Sequence, residues 1–164
     1  MTKATQTTPA SKAIKAGAVP SKPDVLKLAD FLCFAVYSAN LTFGKAYQPL
    51  LEALGLTYTQ YITVVALYEE GNQTVGGLGQ KLFLESNTLT PILKKLENMG
   101  YVSRARASAD ERQVLVNLTP EGRALRERAY SADLTDACGL SLQEFADVRD
   151  SVLKLRDNLA KSLR

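Results

Sequence analysis

One stretch of the sequence decides the fold: residues 86–99 read SNTLTPILKKLENM, and residues 101–118, which follow almost at once, read YVSRARASADERQVLVNL. In the first part, apolar residues recur at steps of three and four, which predicts an amphipathic helix; they are Leu89, Ile92, Leu93 and Leu96. Pro91 suits a first helical turn. We nevertheless expect the helix to begin near Ser86, with local distortion at the proline, and to stop at Gly100.

The second part predicts a β-hairpin. Residues 101–106 form the first arm, residues 107–111 a loop of mostly small and acidic residues, and residues 112–118 the second arm. Val114, Val116 and Leu118 alternate with other residues in that second arm, which is the period of a β-strand. The sequence therefore predicts a helix followed directly by a two-stranded wing.

The residues before this stretch predict three more helices. The apolar spacing of residues 25–51 is helical, although Pro49 should kink or restart that helix, and Gly55 should end it. Thr57 to Gln60 matches a capping box at the start of a second helix, which should run to Glu70. Thr74 can cap a short third helix over residues 75–83.

The residues after the hairpin predict two long helices. Thr119 followed by Pro120 is a cap with proline at the first helical position. Ser141 and Glu144 form a second capping box. The last helix carries apolar residues at steps of three or four: Leu142, Phe145, Val148, Val152, Leu155 and Leu159.

The element order predicts a mainly α fold with a small β-wing, that is, a winged helix-turn-helix. We assign residues 24–164 to a single domain, with the winged helix-turn-helix over residues 57–119. Residues 24–54 and 120–164 have apolar faces too long for so small a module to cover, so we expect them to form a dimerisation domain in a homodimer. Residues 1–23 are predicted to be a disordered basic tail.

Composition excludes several function classes. The 164 residues contain no histidine and two cysteines, which removes Ser-His and Cys-His nucleophile pairs, imidazole zinc sites and a four-thiolate metal site within one chain. We therefore expect no metal, no cofactor and no enzyme. The chain has no run of eighteen apolar residues and no apolar secretory segment, so we expect a cytoplasmic protein without a membrane span.

Two surfaces are candidates for binding double-stranded DNA. The polar face of the 86–99 helix offers residues for base edges and phosphates: Ser86, Asn87, Thr88, Thr90, Pro91, Lys94 and Lys95. The hairpin offers Arg104, Arg106 and Arg112 for phosphate or minor-groove contact, and Asp110 can pair with Arg112 to shape the loop. The alternative interpretation of the first surface is a solvated helix face, and that of the second is an ordinary charged hairpin tip. The net charge of +3 is compatible with DNA binding but is weak evidence for it.

Cys33 is the candidate reactive residue, although a small apolar core residue is the alternative interpretation. On an ideal helix Tyr37 lies about 40° to one side of Cys33 and Tyr47 about 40° to the other. Tyr37 is one turn away, whereas Tyr47 is about 21 Å along a straight helix, so it can approach Cys33 only through a bend or from another chain. Phenolic hydroxyls that donate to a thiolate lower the pKa of the thiol, and the thiolate reacts with peroxides. Cys138 is then a candidate resolving thiol, within or between chains.

Residues 28–124 resemble the multiple antibiotic resistance regulator (MarR) family, and within it the organic hydroperoxide resistance regulators (OhrR). The resemblance is carried by Leu32-Cys33-Phe34 with Tyr37, by residues 45–51 (KAYQPLL) and 56–61 (LTYTQY), and by residues 88–97 (TLTPILKKLE). Asp110-Glu111-Arg112 before Leu118-Thr119 also matches the family pattern. The Cys33 segment is the most specific of these matches.

The resemblance implies a winged-helix dimer that represses a peroxidase gene by binding a pseudo-palindromic operator. It implies release of that operator when an organic hydroperoxide oxidises Cys33 to a sulfenic acid. Tyr47 and Tyr58 resemble the tyrosines that reach the peroxidatic cysteine from the other subunit. Cys138 resembles the resolving cysteine of the two-cysteine type, which forms an intersubunit disulfide.

Two other functions compete with this one. A regulator of the same fold can respond to a small phenolic or hydrophobic ligand, with Cys33 serving only in packing. A thiol peroxidase belongs to another class, but the chain lacks the alternation of strands and helices of a thioredoxin-like fold. Release of DNA by peroxide distinguishes the thiol-based repressor from the ligand-responsive regulator. Sustained peroxide turnover with a dithiol reductant would favour the peroxidase.

Overall fold

The computed structural model describes residues 27–106, 113–129 and 136–163. The helices are α1 (Leu32–Leu54), α2 (Tyr58–Glu69), α3 (Val75–Leu82), α4 (Ser86–Asn98), α5 (Pro120–Arg128) and α6 (Leu142–Ser162), and the strands are β1 (Gln73–Thr74), β2 (Val102–Arg106) and β3 (Val114–Leu118). Short 3-10 turns lie at Leu28–Asp30 and Asp136–Cys138. The chain divides into two units, Met1–Ser38 and Ala39–Arg164. The predicted tail over residues 1–23 lies outside the described residues.

The hydrophobic core lies within residues 56–129 and is built from α2, α3, α4, α5 and the sheet. Its fully buried side chains include Val64, Leu67, Leu78, Leu89, Leu93, Leu96, Val116 and Leu125. The predicted stripe of α4 is confirmed, because three of its leucines are buried and Ile92 is half-buried. The core therefore holds α4 by one face and leaves its polar face exposed.

The predicted capping signals are confirmed. Thr57 and Gln60 form a reciprocal capping box at the start of α2, and Ser141 forms one with Glu144 at the start of α6. The Thr74 hydroxyl accepts from the backbone N–H of Gly77, and the Thr119 hydroxyl accepts from that of Gly122. Each of these side chains satisfies a backbone donor that the first turn of a helix leaves unpaired.

The two helices with an interior proline continue through it. In α4 the helix begins at Ser86, as expected, with Glu85 at the N-cap and Pro91 inside. In α1 Pro49 also lies inside, and the helix runs on to Leu54 instead of restarting. A proline inside a helix supplies no N–H, so each helix forgoes one backbone hydrogen bond at that turn.

The sheet has three strands in the order β1-β3-β2, and all neighbours are antiparallel. The predicted wing is confirmed as β2 and β3. Strand β1 was not predicted, because two residues are too few to show alternation. Asn72 and Asn117 fix β1 to β3: the backbone N–H of Asn72 donates to Oδ1 of Asn117 at 2.6 Å, and Nδ2 of Asn117 donates to Oδ1 of Asn72 at 2.7 Å.

The terminal helices depart from the prediction in their bounds. Instead of one helix from Val25, the described chain has a 3-10 turn at Leu28–Asp30, and α1 begins at Leu32. The side chain of Asp30 accepts from the backbone N–H of Lys27 at 3.0 Å, which favours that separate turn. The helix that begins at Pro120 is short, and α5 ends at Arg128.

The terminal helices carry apolar faces that the chain itself leaves uncovered. Neither α1 nor α6 has a buried residue. Large apolar side chains of α6 are exposed, including Leu142, Val148, Val152, Leu153 and Leu159. Among the described residues no single helix is long and apolar enough to cross a membrane, although α1 and α2, bent by 75°, pass that test together on length and composition.

Candidate nucleic-acid interface and redox site

The turn between α3 and α4 sets the orientation of the candidate reader helix. Phe83 adopts a left-handed conformation with φ 55°, and the backbone N–H of Leu84 donates to the carbonyl of Gly79 at 2.9 Å. A Cβ at Gly79 would lie 2.8 Å from the carbonyl oxygen of Leu84, so only glycine permits this approach. The tight turn leaves the N-terminus of α4 at the surface.

The polar face of α4 is exposed along the helix. The seven residues predicted to contact DNA are all exposed: Ser86, Asn87, Thr88, Thr90, Pro91, Lys94 and Lys95. The Thr90 hydroxyl donates to the carbonyl of Ser86 at 2.7 Å, and the Thr88 hydroxyl donates to Oδ1 of Asn87 at 3.3 Å. Lys94 and Lys95 both lie more than two turns after the helix start, where they extend the surface with positive charge.

The wing brings one predicted arginine to the reader helix. Nε of Arg104 donates to Oε2 of Glu97 at 2.9 Å, and an Nη of Arg104 forms a shorter ion pair with the same oxygen. This hydrogen bond holds the pKa of the Glu97 carboxyl below its usual range and raises the pKa of Arg104. Arg106 is exposed. Asp110 and Arg112, which were also predicted to serve the wing, lie outside the described residues.

Cys33 lies at the start of α1 in an apolar pocket. Cys33 is exposed in the single chain, whereas the alternative interpretation, a small apolar core residue, requires it to be buried. The pocket is about 290 Å³ and is lined by Cys33 with Leu28, Phe31, Phe34 and Tyr37. The predicted neighbour Tyr37 thus shares the pocket, and its ring lies 6.5 Å from that of Phe34.

The other two predicted tyrosines lie together, and a third joins them. The ring of Tyr47 lies 5.3 Å from that of Tyr58 and 6.1 Å from that of Tyr61. Tyr47 and Tyr58 line a pocket of about 420 Å³ with Asn40, Leu41, Phe43 and Gly44. Tyr61 was not predicted as a site residue, although it lies three residues after Tyr58 and therefore on the same helical face.

Cys138 closes the 3-10 turn before α6. The free thiol is partly exposed, and Gly139 follows it with φ 63°. In the part of the chain that the structure describes, no group of three histidine, cysteine or carboxylate side chains is arranged to hold a metal ion.

The reader helix, the tight turn before it and the antiparallel wing after it define the class of the protein: a winged helix-turn-helix. The comparisons narrow the class. A model of the transcriptional regulators SarA/Rot matches residues 45–128. The organic hydroperoxide resistance transcriptional regulator of Bacillus subtilis is 41% identical over 79% of this chain and 87% of its own length. The regulator TtmR of Methylorubrum extorquens is 43% identical over 84% of this chain and 72% of its own length.

Solved structures of similar proteins share the fold of this chain. Reduced AbfR bound to DNA superposes with a TM-score of 0.72 at 35% identity, over 84% of this chain and 95% of that one. AbfR, a protein of Staphylococcus epidermidis, in a disulfide-linked form superposes with a TM-score of 0.59 at 38% identity, over 78% of this chain and 91% of that one. The chain belongs to the MarR family of transcriptional regulators, with an organic hydroperoxide resistance regulator among its relatives. It is a transcriptional regulator and not an enzyme.

Proposed function

We propose that this regulator is a cytoplasmic, homodimeric repressor that binds pseudo-palindromic double-stranded DNA and releases it when an organic hydroperoxide oxidises Cys33. The observation that carries the proposal is an exposed cysteine in an aromatic pocket at the start of α1, in a chain 41% identical to a hydroperoxide resistance regulator. The reduced and disulfide-linked structures of AbfR support a thiol switch in this fold.

DNA binding rests on α4 and the wing. The exposed start of α4 offers hydroxyl and amide groups for base edges, while Lys94 and Lys95 are available for phosphates. Arg106, and Arg112 outside the described residues, would contact the DNA phosphate backbone beside the wing. The structure of reduced AbfR bound to DNA, which superposes on this chain, supports DNA binding.

Dimerisation rests on the uncovered apolar faces of α1 and α6. We assign residues 24–54 and 120–164 to the dimerisation region and residues 57–119 to the DNA-binding module. A symmetric dimer covers the apolar faces and presents two copies of α4, which fits a two-fold symmetric operator. The partner chain is therefore part of the function and not only of the stability.

The proposed chemistry at Cys33 is a two-electron oxidation. The Cys33 thiolate attacks the distal oxygen of the hydroperoxide, the O–O bond breaks, and the alkoxide leaves and takes a proton to become an alcohol. The sulfur becomes a sulfenic acid. The apolar lining of the pocket suits the organic group of the hydroperoxide.

The tyrosines would stabilise the thiolate by donating hydrogen bonds. Tyr37 shares the Cys33 pocket, and we propose that Tyr47 and Tyr58 approach from the partner subunit. Tyr47→Phe should then slow oxidation of Cys33 while leaving the fold intact. Tyr68→Phe, a tyrosine on α2 beside Glu127, is the matched control. Equal oxidation rates for the wild type and Tyr47→Phe, measured by trapping the sulfenic acid, would remove Tyr47 from the mechanism.

Cys138 would convert the sulfenic acid into a disulfide. The Cys138 thiolate attacks the Cys33 sulfur, the S–S bond forms, and the hydroxyl leaves as water after taking a proton. A disulfide requires β-carbons about 3.8 Å apart. If the two sulfurs lie far apart in the reduced dimer, its formation between subunits would move α6 and change the spacing of the two α4 helices. This movement is a mechanical route from oxidation to DNA release.

The test is a non-reducing gel after mild treatment with an organic hydroperoxide. We expect a covalent dimer from the wild type and none from Cys33→Ser or Cys138→Ser. Mass spectrometry should find the linked peptides of Cys33 and Cys138. A treated wild type that stays monomeric and lacks the linked peptide would leave Cys33 as a one-cysteine sensor.

A regulator that responds to a small phenolic or hydrophobic ligand is the second candidate. A pocket of about 650 Å³ between α1, the start of α2 and Lys95 favours it, because this volume suits a small aromatic molecule. Release of DNA by a phenolic acid under reducing conditions, in wild type and Cys33→Ser alike, would support this candidate over the thiol switch.

A further inference from the structure

The Glu97–Arg104 pair joins the reader helix to the wing. Side chains two residues apart on a strand share a face, so Arg104 lies on the same face of β2 as the buried Val102. Strand β2 lies against α4, and the Arg104 side chain, which remains partly exposed, reaches Glu97 there. The pair lies about 7 Å beyond Val102 toward the tip of the hairpin.

The base of the wing is already fixed by the backbone. The N–H of Tyr101 donates to the carbonyl of Leu96 at 3.0 Å, and the N–H of Thr119 donates to the carbonyl of Tyr101 at 3.1 Å. These bonds, the pairing of β3 with β1 as far as Leu115 and the burial of Val116 hold the inner part of the hairpin. Arg104 lies opposite Val116 on β2, the outer strand of the sheet, and its ion pair with Glu97 adds a side-chain contact between that strand and α4.

We propose that Arg104 is a positioning residue: its pairing with Glu97 docks the wing on α4 so that both contact one stretch of DNA backbone together. The inference rests on the proposed DNA binding and replaces a direct phosphate contact by Arg104. Glu97, an acid beside the DNA-binding surface, then increases the affinity for DNA instead of opposing it.

Electrostatics alone predicts that the Glu97 carboxylate lowers the affinity for DNA. Removing a carboxylate next to a polyanion should strengthen binding, because one repulsion is lost. If the pair sets the wing angle, removing the carboxylate lowers the docked fraction, and the apparent Kd rises by the same factor. The bond to Arg104 keeps Glu97 ionised well below neutral pH, so the pair is intact under ordinary binding conditions.

The expected effect is modest for one wing and larger for the dimer. Partly exposed ion pairs correspond to factors of up to about five in an equilibrium. Two wings dock in each dimer–operator complex, so we expect Glu97→Gln and Arg104→Gln each to raise the Kd by up to about 25-fold. The double variant should bind no more weakly than either single variant.

The experiment uses an operator duplex selected from a random-sequence library by the reduced wild type, with Kd measured by fluorescence anisotropy over a range of KCl concentrations. The charge-swapped Glu97→Arg/Arg104→Glu protein should recover most of the affinity. The salt slope of Arg104→Gln should match that of the wild type. Glu85→Gln, which removes another exposed acid at the start of α4, is the control and should bind as well as the wild type or better.

Two outcomes of the binding assay overturn the inference. In the first, Glu97→Gln binds as tightly as the wild type or tighter; in the second, Arg104→Gln loses about 0.9 from the salt slope per protomer, as expected for a lost phosphate contact. A readout without DNA separates this failure from failure of the proposed function: Glu97→Gln should accelerate tryptic cleavage within the hairpin of the free protein. If the wild type selects no duplex, the proposed function fails, while unchanged cleavage in Glu97→Gln refutes wing docking by itself.

Discussion

A charge placed on the apolar face of α6 should dissociate the proposed dimer. Val148 is 52% exposed in the single chain, so about half of its burial remains to be gained from a partner. Full burial of a valine is worth about 1.5 kcal/mol, so Val148→Glu forfeits about 0.8 kcal/mol per protomer and about 1.6 kcal/mol per dimer. An unpaired carboxylate held in the interface costs several kcal/mol more.

These terms set the size of the effect. If the carboxylate turns out to water, the dimer weakens by about 15-fold, and if it stays buried, by more than about a thousandfold. Sedimentation velocity over a dilution series measures the shift, and circular dichroism checks the fold. Lys154→Gln changes the net charge equally on the opposite face of α6 and should dimerise normally. A Val148→Glu protein that dimerises like Lys154→Gln would place the interface elsewhere.

Three further predictions address the DNA surface, the packing of α5 and the last helix. Lys94→Ala should weaken DNA binding and, if one phosphate contact is lost per protomer, reduce the salt slope by about 1.8 for the dimer; an unchanged slope would remove Lys94 from the interface. Gly122→Ala should lower the melting temperature at a cost of about 1–3 kcal/mol, because its Cβ would collide with the carbonyl oxygen of Tyr101; an unchanged melting temperature would contradict this packing. The Ser141 hydroxyl and backbone N–H donate to the Glu144 carboxylate and lower its pKa. The stability that these bonds add is therefore present above the ordinary pKa of 4.5 and is lost as the pH falls through the lowered pKa. Urea unfolding at several pH values should show this loss in the wild type and less of it in Ser141→Ala.

Local signals explain which elements the sequence predicts well. Thr57 and Ser141 predict the starts of their helices, because each hydroxyl accepts a hydrogen bond from a backbone N–H only three residues away. The stripe of α4 is equally local, so its buried face and its polar face both follow from spacing. The two-residue strand β1 is different, since its pairing with β3 depends on residues more than forty positions away.

The candidate site divides in the same way. The exposed face of α4 and the placement of Cys33 and Tyr37 one turn apart beside the same pocket follow from helical periodicity. The contact of Arg104 with Glu97 does not, because it depends on how the wing folds back on the reader helix. The ring cluster of Tyr47, Tyr58 and Tyr61 likewise joins two helices across a turn, and only the packing brings these rings together.

The central claim, that oxidation of Cys33 releases DNA, is tested most directly by binding of the selected duplex with and without tert-butyl hydroperoxide. Fluorescence anisotropy should show that reduced wild type and reduced Cys33→Ser bind alike. The hydroperoxide should release the wild type, a later dithiol reductant should restore its binding, and Cys33→Ser should stay bound throughout. Release of Cys33→Ser to the same extent as the wild type, or a wild type that stays bound after complete oxidation of Cys33, would contradict the account.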